Sequence, residues 1–182
     1  GRLDKHNMVD NVIFSPRANL RFNPTQNINL RLSYSSGFRA PQAFDEDMHI
    51  ENVGGTVAMI ERAKNLKEEK SQSFSASADM YHRFGVFQTN FLIEGFYTRL
   101  TDVFVLGEPY DRGDGILVKT RSNGPGAKVM GLTLEGKVAY LSILQIQAGL
   151  TLQRSRYDEP HKWHDDAPAE KKIFRTPDTY GY

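Results

Sequence analysis

Apolar and polar residues alternate with a period of two along six long stretches of the chain. In the first, Val12, Phe14, Ala18, Leu20 and Phe22 take one face, and Ile13, Ser15, Arg17, Asn19 and Arg21 take the other. The split recurs in Ile28, Leu30, Leu32 and Tyr34 against Asn29, Arg31, Ser33 and Ser35. It returns in Leu144, Ile146, Ala148, Leu150 and Leu152 against Gln145, Gln147, Thr151 and Gln153. Side chains of a strand point alternately to opposite faces, so the pattern predicts sheet with one wet and one apolar face. Strands of globular domains are usually about 5–6 residues long, whereas a tilted strand crossing a bilayer needs about 9–11. The pattern here suits the longer kind.

Strands are expected over residues 11–22, 27–38, 71–83, 86–105, 116–140 and 143–157. Tight links join them in pairs: Asn23-Pro24-Thr25-Gln26, Phe84-Gly85 and Leu141-Ser142. Their Pro, Asn and Gly supply turn geometry. Long links over 39–70, 106–115 and 158–175 separate the pairs. Short turns alternating with long loops is the layout of outer-membrane barrels, with the turns on the periplasmic side and the loops outside. Phe22, Phe84 and Tyr140 lie beside the short turns, and Tyr34, Phe38, Tyr97 and Tyr157 at the loop ends. Two interfacial aromatic girdles would have this distribution. Within 116–140, Asn123-Gly124-Pro125-Gly126 should interrupt the strand. The regular part is expected from Lys128 onward, and the part before Ala127 should rise as a loop hairpin.

Composition narrows the choice. The 182 residues carry 23 Lys and Arg against 22 Asp and Glu, so no surface for a nucleic acid or other polyanion is implied. Cysteine is absent, which removes disulfides and thiolate chemistry. Mean hydropathy of −0.52 resembles that of a soluble protein, but barrel strands give such values because every second residue faces water. No stretch reaches the about 18 consecutive apolar residues of a membrane helix. The opening Gly1-Arg2-Leu3-Asp4, without initiator Met or signal sequence, suggests a mature or excised piece.

Several segments together carry a family likeness. Phe14-Ser15-Pro16-Arg17 lies in the first strand, and Gly37-Phe38-Arg39-Ala40-Pro41 closes the second. Leu66-Lys67-Glu68-Glu69-Lys70-Ser71 opens the third; Asn123, Ala127, Gly131 and Glu135 recur at intervals of four, and Arg175-Thr176-Pro177 ends the last loop. In order and spacing, over nearly the whole chain, the series resembles the C-terminal half of the barrel of TonB-dependent outer-membrane receptors. That resemblance implies a 22-stranded transmembrane barrel with an N-terminal plug. It implies import driven by a TonB complex, in the outer membrane of a Gram-negative bacterium. The substrate would be scarce: a ferric siderophore, cobalamin or a glycan. On this reading residues 1–182 are an antiparallel meander of about six long strands, a fragment of an all-β barrel domain. Its expected partners are membrane lipid, the receptor's own plug, the TonB complex through a region N-terminal to this piece, and the substrate. The chain departs from the family pattern where Lys67, not Pro, precedes Glu68. The plug, the TonB-contacting segment and the closing strand are missing from this reading, and Tyr182 ends a tail that reads as loop.

Candidate chemistry is sparse. His161, Trp163, His164, Asp165 and Asp166 form the densest polar cluster, but Pro160 and Pro168 bracket a loop, so a solvated segment touching ligand is a better reading than a metal site. Asp45-Glu46-Asp47 with His49 reads as a hydrated loop tip before it reads as a calcium site. Asp111-Arg112-Gly113-Asp114-Gly115 is turn chemistry. Ser71, Ser73, Ser75 and Ser77 repeat every second residue, as lumen lining does and a base-held nucleophile does not. His82 has no serine clearly placed to meet it, which leaves an enzyme acting on outer-membrane lipid without support. No catalytic group, metal or cofactor is expected. Phe44, Tyr110, Arg112, Trp163 and His164 are the candidate ligand contacts in the loops, and Arg17, Arg21, Arg31, Asp79 and Glu94 are the candidate lumen-facing charges. The alternative is a soluble all-β ligand-binding module, stable without detergent.

Overall fold

The computed structural model describes residues 1–5, 12–40, 58–113, 117–141, 143–161, 169–173 and 176–182, all in strands, turns and connections. In chain order the strands are β1 (Arg2–Asp4), β2 (Ile13–Ser15), β3 (Arg17–Thr25), β4 (Ile28–Arg39), β5 (Ala58–Arg62), β6 (Glu69–Phe84) and β7 (Phe87–Thr101). There follow β8 (Phe104–Leu106), β9 (Tyr110–Asp111), β10 (Leu117–Asn123), β11 (Ala127–Tyr140), β12 (Leu144–His161), β13 (Glu170–Lys172) and β14 (Thr179–Gly181). The main sheet runs β13-β12-β11-β7-β6-β4-β3, with β14 also on β12, and every pairing in it is antiparallel. Among the described residues it does not close on itself.

The register lines the alternating residues into continuous faces. One apolar row crosses six strands as Leu20, Leu32, Ala76, Gly95, Leu132 and Leu152. The next row is Phe22, Leu30, Ala78, Ile93, Leu134 and Leu150. Opposite them lie Arg21, Arg31, Ser77, Glu94, Thr133 and Thr151. Exposure runs contrary to that of a soluble sheet. Leu20 is 62%, Phe22 61% and Ile146 62% exposed, while the polar-side Asn29 and Thr151 are 6% and Ser155 1% exposed. The polar face is the less exposed one along the middle of β6, β7 and β11, although Arg21 and Arg31 on it are exposed, and the apolar face lacks any covering layer among the described residues. On β6, β7 and β11 the apolar face extends from Phe74 to Phe84, Phe87 to Tyr97 and Met130 to Tyr140. Ten residue steps at about 3.4 Å cover about 34 Å. Tilted by about 45°, they project to about 24 Å, close to the roughly 25 Å apolar band of a membrane barrel. Aromatics stand at both ends: Tyr34 and Phe74 at 4.7 Å between rings near the loops, Phe87 and Tyr140 at 5.1 Å near the turns.

The strand boundaries differ from the sequence pattern where backbone chemistry intervenes. Pro16, which has no N–H, separates β2 from β3, although its carbonyl accepts the Ser36 amide at 2.9 Å. The first turn is Gln26-Asn27 rather than Asn23-Pro24-Thr25-Gln26: β3 continues through Asn23 and Pro24 as a bulge, where a missing donor costs little. Gly85, at φ 56°, with Val86 makes the second turn, a conformation glycine adopts without strain. Asp102, at φ 54°, ends β7 before the expected boundary, and Leu141, at φ 49°, begins the third turn. The segment 116–140 divides at Gly124-Pro125-Gly126 into β10 and β11. Residues 176–182 are not a loop-like tail. β14 pairs with β12, and Tyr182 exchanges two backbone hydrogen bonds with Gly149, at 3.0 and 3.1 Å. β13 and β14 thus both lie along β12.

Candidate functional site

At the loop end of the main sheet, the long links fold on one another. β10 pairs in parallel with β5, Leu117 to Arg121 against Ala58 to Arg62, and antiparallel with β8 and β9. This small sheet joins the link 39–70 to the link 106–115, and Val118 at its centre is fully buried. The periodicity did not reveal it, because the pieces are short and β5 and β10 lie more than fifty residues apart.

Asn123 anchors its base. The Lys67 amide donates to Asn123 Oδ1 at 2.7 Å, and Asn123 Nδ2 donates to the Lys67 carbonyl at 3.0 Å and the Asp102 carbonyl at 2.8 Å. One amide side chain thereby ties the Lys67 segment and the connection after β7 to the end of β10, matching a donor and an acceptor to each need. The Gly124 amide adds a bond to the Val103 carbonyl at 2.7 Å. Beside this anchor, Glu69 Oε2 accepts the Phe104 amide at 3.2 Å, and the Arg39 guanidinium stands 5.8 Å from the Phe104 ring centre.

A charged strap holds the next junction. Arg99 Nη1 and Nη2 donate to the two carboxylate oxygens of Asp158 at 2.7 and 2.6 Å, tying β7 to β12 over Gly126. These paired bonds from Arg99 hold the Asp158 carboxyl below the ordinary carboxylate range, against the opposing effect of desolvation.

The candidate loop contacts divide. Tyr110 lies in β9 opposite Val118 and is 46% exposed. Arg112 stands 3.5 Å from Glu61, an ion pair between the 106–115 and 39–70 links. These two therefore share one loop platform. Phe44, Trp163 and His164 lie outside the described residues, as do Asp45, Glu46, Asp47, His49, Asp165, Asp166, Asp114 and Gly115. His161 ends β12. Among the described residues, no cluster of three or more His, Asp or Glu side chains is placed to hold a metal.

The five candidate lumen charges all sit on the polar face. Arg21, Arg31 and Glu94 share one row with Ser77. Arg21 Nε donates to Asn23 Oδ1 at 3.3 Å, Asn29 Nδ2 to the same oxygen at 2.8 Å, and Arg31 Nε to Asn29 Oδ1 at 2.7 Å. Asp79 accepts from Tyr81 at 2.7 Å and from Asn90. Arg17 lies apart, near Ser15, Ser36 and the first residues of the chain. Of the β6 serines, Ser73 hydrogen-bonds across to Thr98 at 3.0 Å. Leu92, Phe96 and Val129 also occupy this face, so it is mixed rather than wholly polar. Arg99, Asp158 and the anchoring role of Asn123 had no sequence signal as a set, because only the folded loops bring them together.

The sequence matches the family described as TonB dependent receptor-like, beta-barrel, over residues 1–181. Among curated proteins there is no match. Solved structures of the FrpB iron transporter from Neisseria meningitidis are similar in fold. The F3-3 variant has a TM-score of 0.57 at 19% identity, with 81% of this chain and 20% of that chain covered. The F5-1 variant in apoprotein form gives 0.58 at 18% identity, with 82% and 20% covered. The chain thus spans about a fifth of the length of these relatives.

Proposed function

This chain belongs to the TonB-dependent receptor β-barrel family, and from that premise we propose that it forms part of the wall and outer gate of an outer-membrane importer. The barrel would be completed by strands outside this chain and filled by the receptor's own plug. Its energy would come from a TonB complex, and it would reside in the outer membrane of a Gram-negative bacterium. The observation that carries the reading is the two-faced sheet: apolar residues exposed on one face without a covering layer among the described residues, and Arg21, Arg31, Asp79 and Glu94 together on the other. A lipid-facing wall around a wet lumen needs that arrangement.

The loop platform is the proposed capture surface. Tyr110 and Arg112 project from segments held by β10 and by Glu61, so a ligand meets side chains on a supported base. Phe44, Trp163 and His164 complete the proposed set. The cargo is a scarce nutrient of the siderophore, cobalamin or glycan kind. The structural relatives are described as iron transporters, so an iron-bearing ligand is the first to screen. Capture would act on the plug only through different affinities for its two states.

Deleting 106–115 from the intact receptor tests this reading. The expected result is weakened ligand binding and uptake, with barrel assembly in the outer membrane preserved. Unchanged binding would remove the platform from the site, and recovery of the intact protein in the soluble fraction would sink the importer reading itself.

A further inference from the structure

Asn123 is the only asparagine of the sequence followed directly by glycine. Both residues are fixed by their surroundings. The amide at 123 accepts from the Lys67 N–H at 2.7 Å and donates to the Lys67 and Asp102 carbonyls at 3.0 and 2.8 Å, which no carboxylate or hydroxyl could do alone. A Cβ at 124 would stand 2.6 Å from Val105 Cγ1, a branched side chain with no flexible end to swing away. The packing of the loop platform thus places at its base the dipeptide whose backbone most readily attacks its own side chain, because glycine gives the attacking nitrogen no steric shield.

In that reaction the Gly124 nitrogen gives its proton to solvent base and bonds to the Asn123 side-chain carbonyl carbon, closing a succinimide ring. The side-chain nitrogen leaves as ammonia. Water then opens the ring at either carbonyl and yields aspartate or isoaspartate, so the balance is water consumed and ammonia released, with no redox change. The closed platform opposes each part of the step. The Gly124 N–H is committed to the Val103 carbonyl at 2.7 Å, and the Asn123 side chain is held by its three bonds. Ring closure also requires rotation about the Asn123 Cα–C bond, which the pairing of Asn123 with Phe104 of β8 prevents. All of these restraints are released together when the links separate, so the reaction samples the open state.

We propose that Asn123-Gly124 is a self-modification site gated by the loop platform: opening exposes it to cyclisation, and the carboxylate that results keeps the latch from closing again. Aspartate retains an acceptor for the Lys67 amide but has no donor for the Lys67 and Asp102 carbonyls. Isoaspartate also adds a methylene to the backbone and breaks the register between β10 and β8. Conversion runs one way, so the platform records its own openings as permanent loss of the latch. The inference depends on the hydrogen bonds at the base of the platform and not on which ligand the platform captures.

The intact receptor would be aged in mildly alkaline buffer made with heavy-oxygen water, and the tryptic peptide 122–128 read by mass spectrometry. Label taken up during ring opening marks conversion that preceded digestion. Asn123 is expected to convert at least about tenfold more slowly than in the urea-unfolded receptor, yet faster than Asn90, which precedes Phe91 in β7. Val118→Ala, which hollows the buried centre of the small sheet, should speed conversion at least about fivefold. Low urea, which opens exposed links before membrane strands, should speed it in the unaltered chain. In the converted fraction, hydrogen exchange at the Lys67 amide should be faster than in the unconverted one. Conversion no slower folded than unfolded, or no faster at Asn123 than at Asn90, would overturn the proposal. So would a rate indifferent to both Val118→Ala and low urea, or Lys67 exchange unchanged by conversion.

Discussion

Arg99 and Asp158, 59 residues apart, meet through two parallel bonds of 2.7 and 2.6 Å across the backbone of Gly126. The pair closes the loop end of the sheet where β7, β11 and β12 come together, and its strength depends on the charge of one carboxylate. Because Arg99 lowers the Asp158 pKa, folding favours the ionised form. The stabilisation is complete above the ordinary Asp value, about 3.9, and is lost as pH falls through the lower folded value. The thermal midpoint of the intact receptor should exceed that of Asp158→Asn by a constant margin from about pH 8 to about pH 5, the two converging below about pH 4. A margin that vanished near neutrality would mean that a different group controls the junction.

Gly126 is placed under this strap for a steric reason. A Cβ there would stand 2.6 Å from the Leu100 carbonyl oxygen and 2.7 Å from Asp158 Oδ2. The first contact is with backbone, which cannot swing aside. Gly126→Ala should destabilise the receptor by about 1–3 kcal/mol, the usual cost of overpacking, measured as the urea midpoint for unfolding in bilayers. Gly136→Ala, where nothing lies within 4 Å, provides the comparison and should be close to neutral. Equal effects at the two glycines would show that the strap does not pass where the structure places it.

Asn123 should behave as a latch rather than as core. Its three bonds are each worth about 0.5–1.5 kcal/mol net, and they join links rather than membrane strands, so their loss opens the platform locally. In Asn123→Ala, hydrogen exchange at the Lys67 amide should accelerate by at least about tenfold, or about 1.4 kcal/mol, with the exchange of β6 and β7 unchanged. Asn123→Asp should be worse: it keeps the acceptor for the Lys67 amide but turns a carboxylate toward the Lys67 and Asp102 carbonyls. An aspartate as protective as the asparagine would refute the assigned direction of these bonds.

The spanning strands were legible because one constraint acts on every second residue for ten residues or more. Phe74, Ala76, Ala78 and Met80 disclose their face without any knowledge of their neighbours, and the division of 116–140 followed from Gly124, Pro125 and Gly126 alone. The platform was not legible for the converse reason. Ala58–Arg62 and Leu117–Asn123 are short, pair in parallel across a long sequence separation, and carry no period that selects a partner. Local chemistry also shifted a boundary that periodicity placed elsewhere: the Gln26-Asn27 turn leaves Pro24 inside a bulge, although proline usually suggests the turn itself. The tail ending in Tyr182 read as loop because only three of its residues are regular, yet β12 gives it a partner.

The orientation of the sheet makes the sharpest demand, since two adjacent residues should respond in opposite ways. Ala78 lies near the middle of β6 on the apolar face, between Leu30 and Ile93; Ser77 lies on the polar face, between Arg31 and Glu94. In a membrane barrel, Arg at the lipid-facing midplane costs about 2–4 kcal/mol, while an Arg toward the lumen keeps its water and, at position 77, gains Glu94. Ala78→Arg should therefore lower the stability of the intact receptor in bilayers by that amount, and Ser77→Arg by less than about 1 kcal/mol, close to an ordinary surface change. A soluble sheet whose apolar face packs on a second layer would also reject Ala78→Arg, but it would do so in plain buffer without lipid. The discriminating measurement is thus made with bilayer thickness varied: a penalty at Ala78 that grows with the depth of the hydrocarbon belongs to a lipid-facing wall, and one independent of it belongs to a protein core.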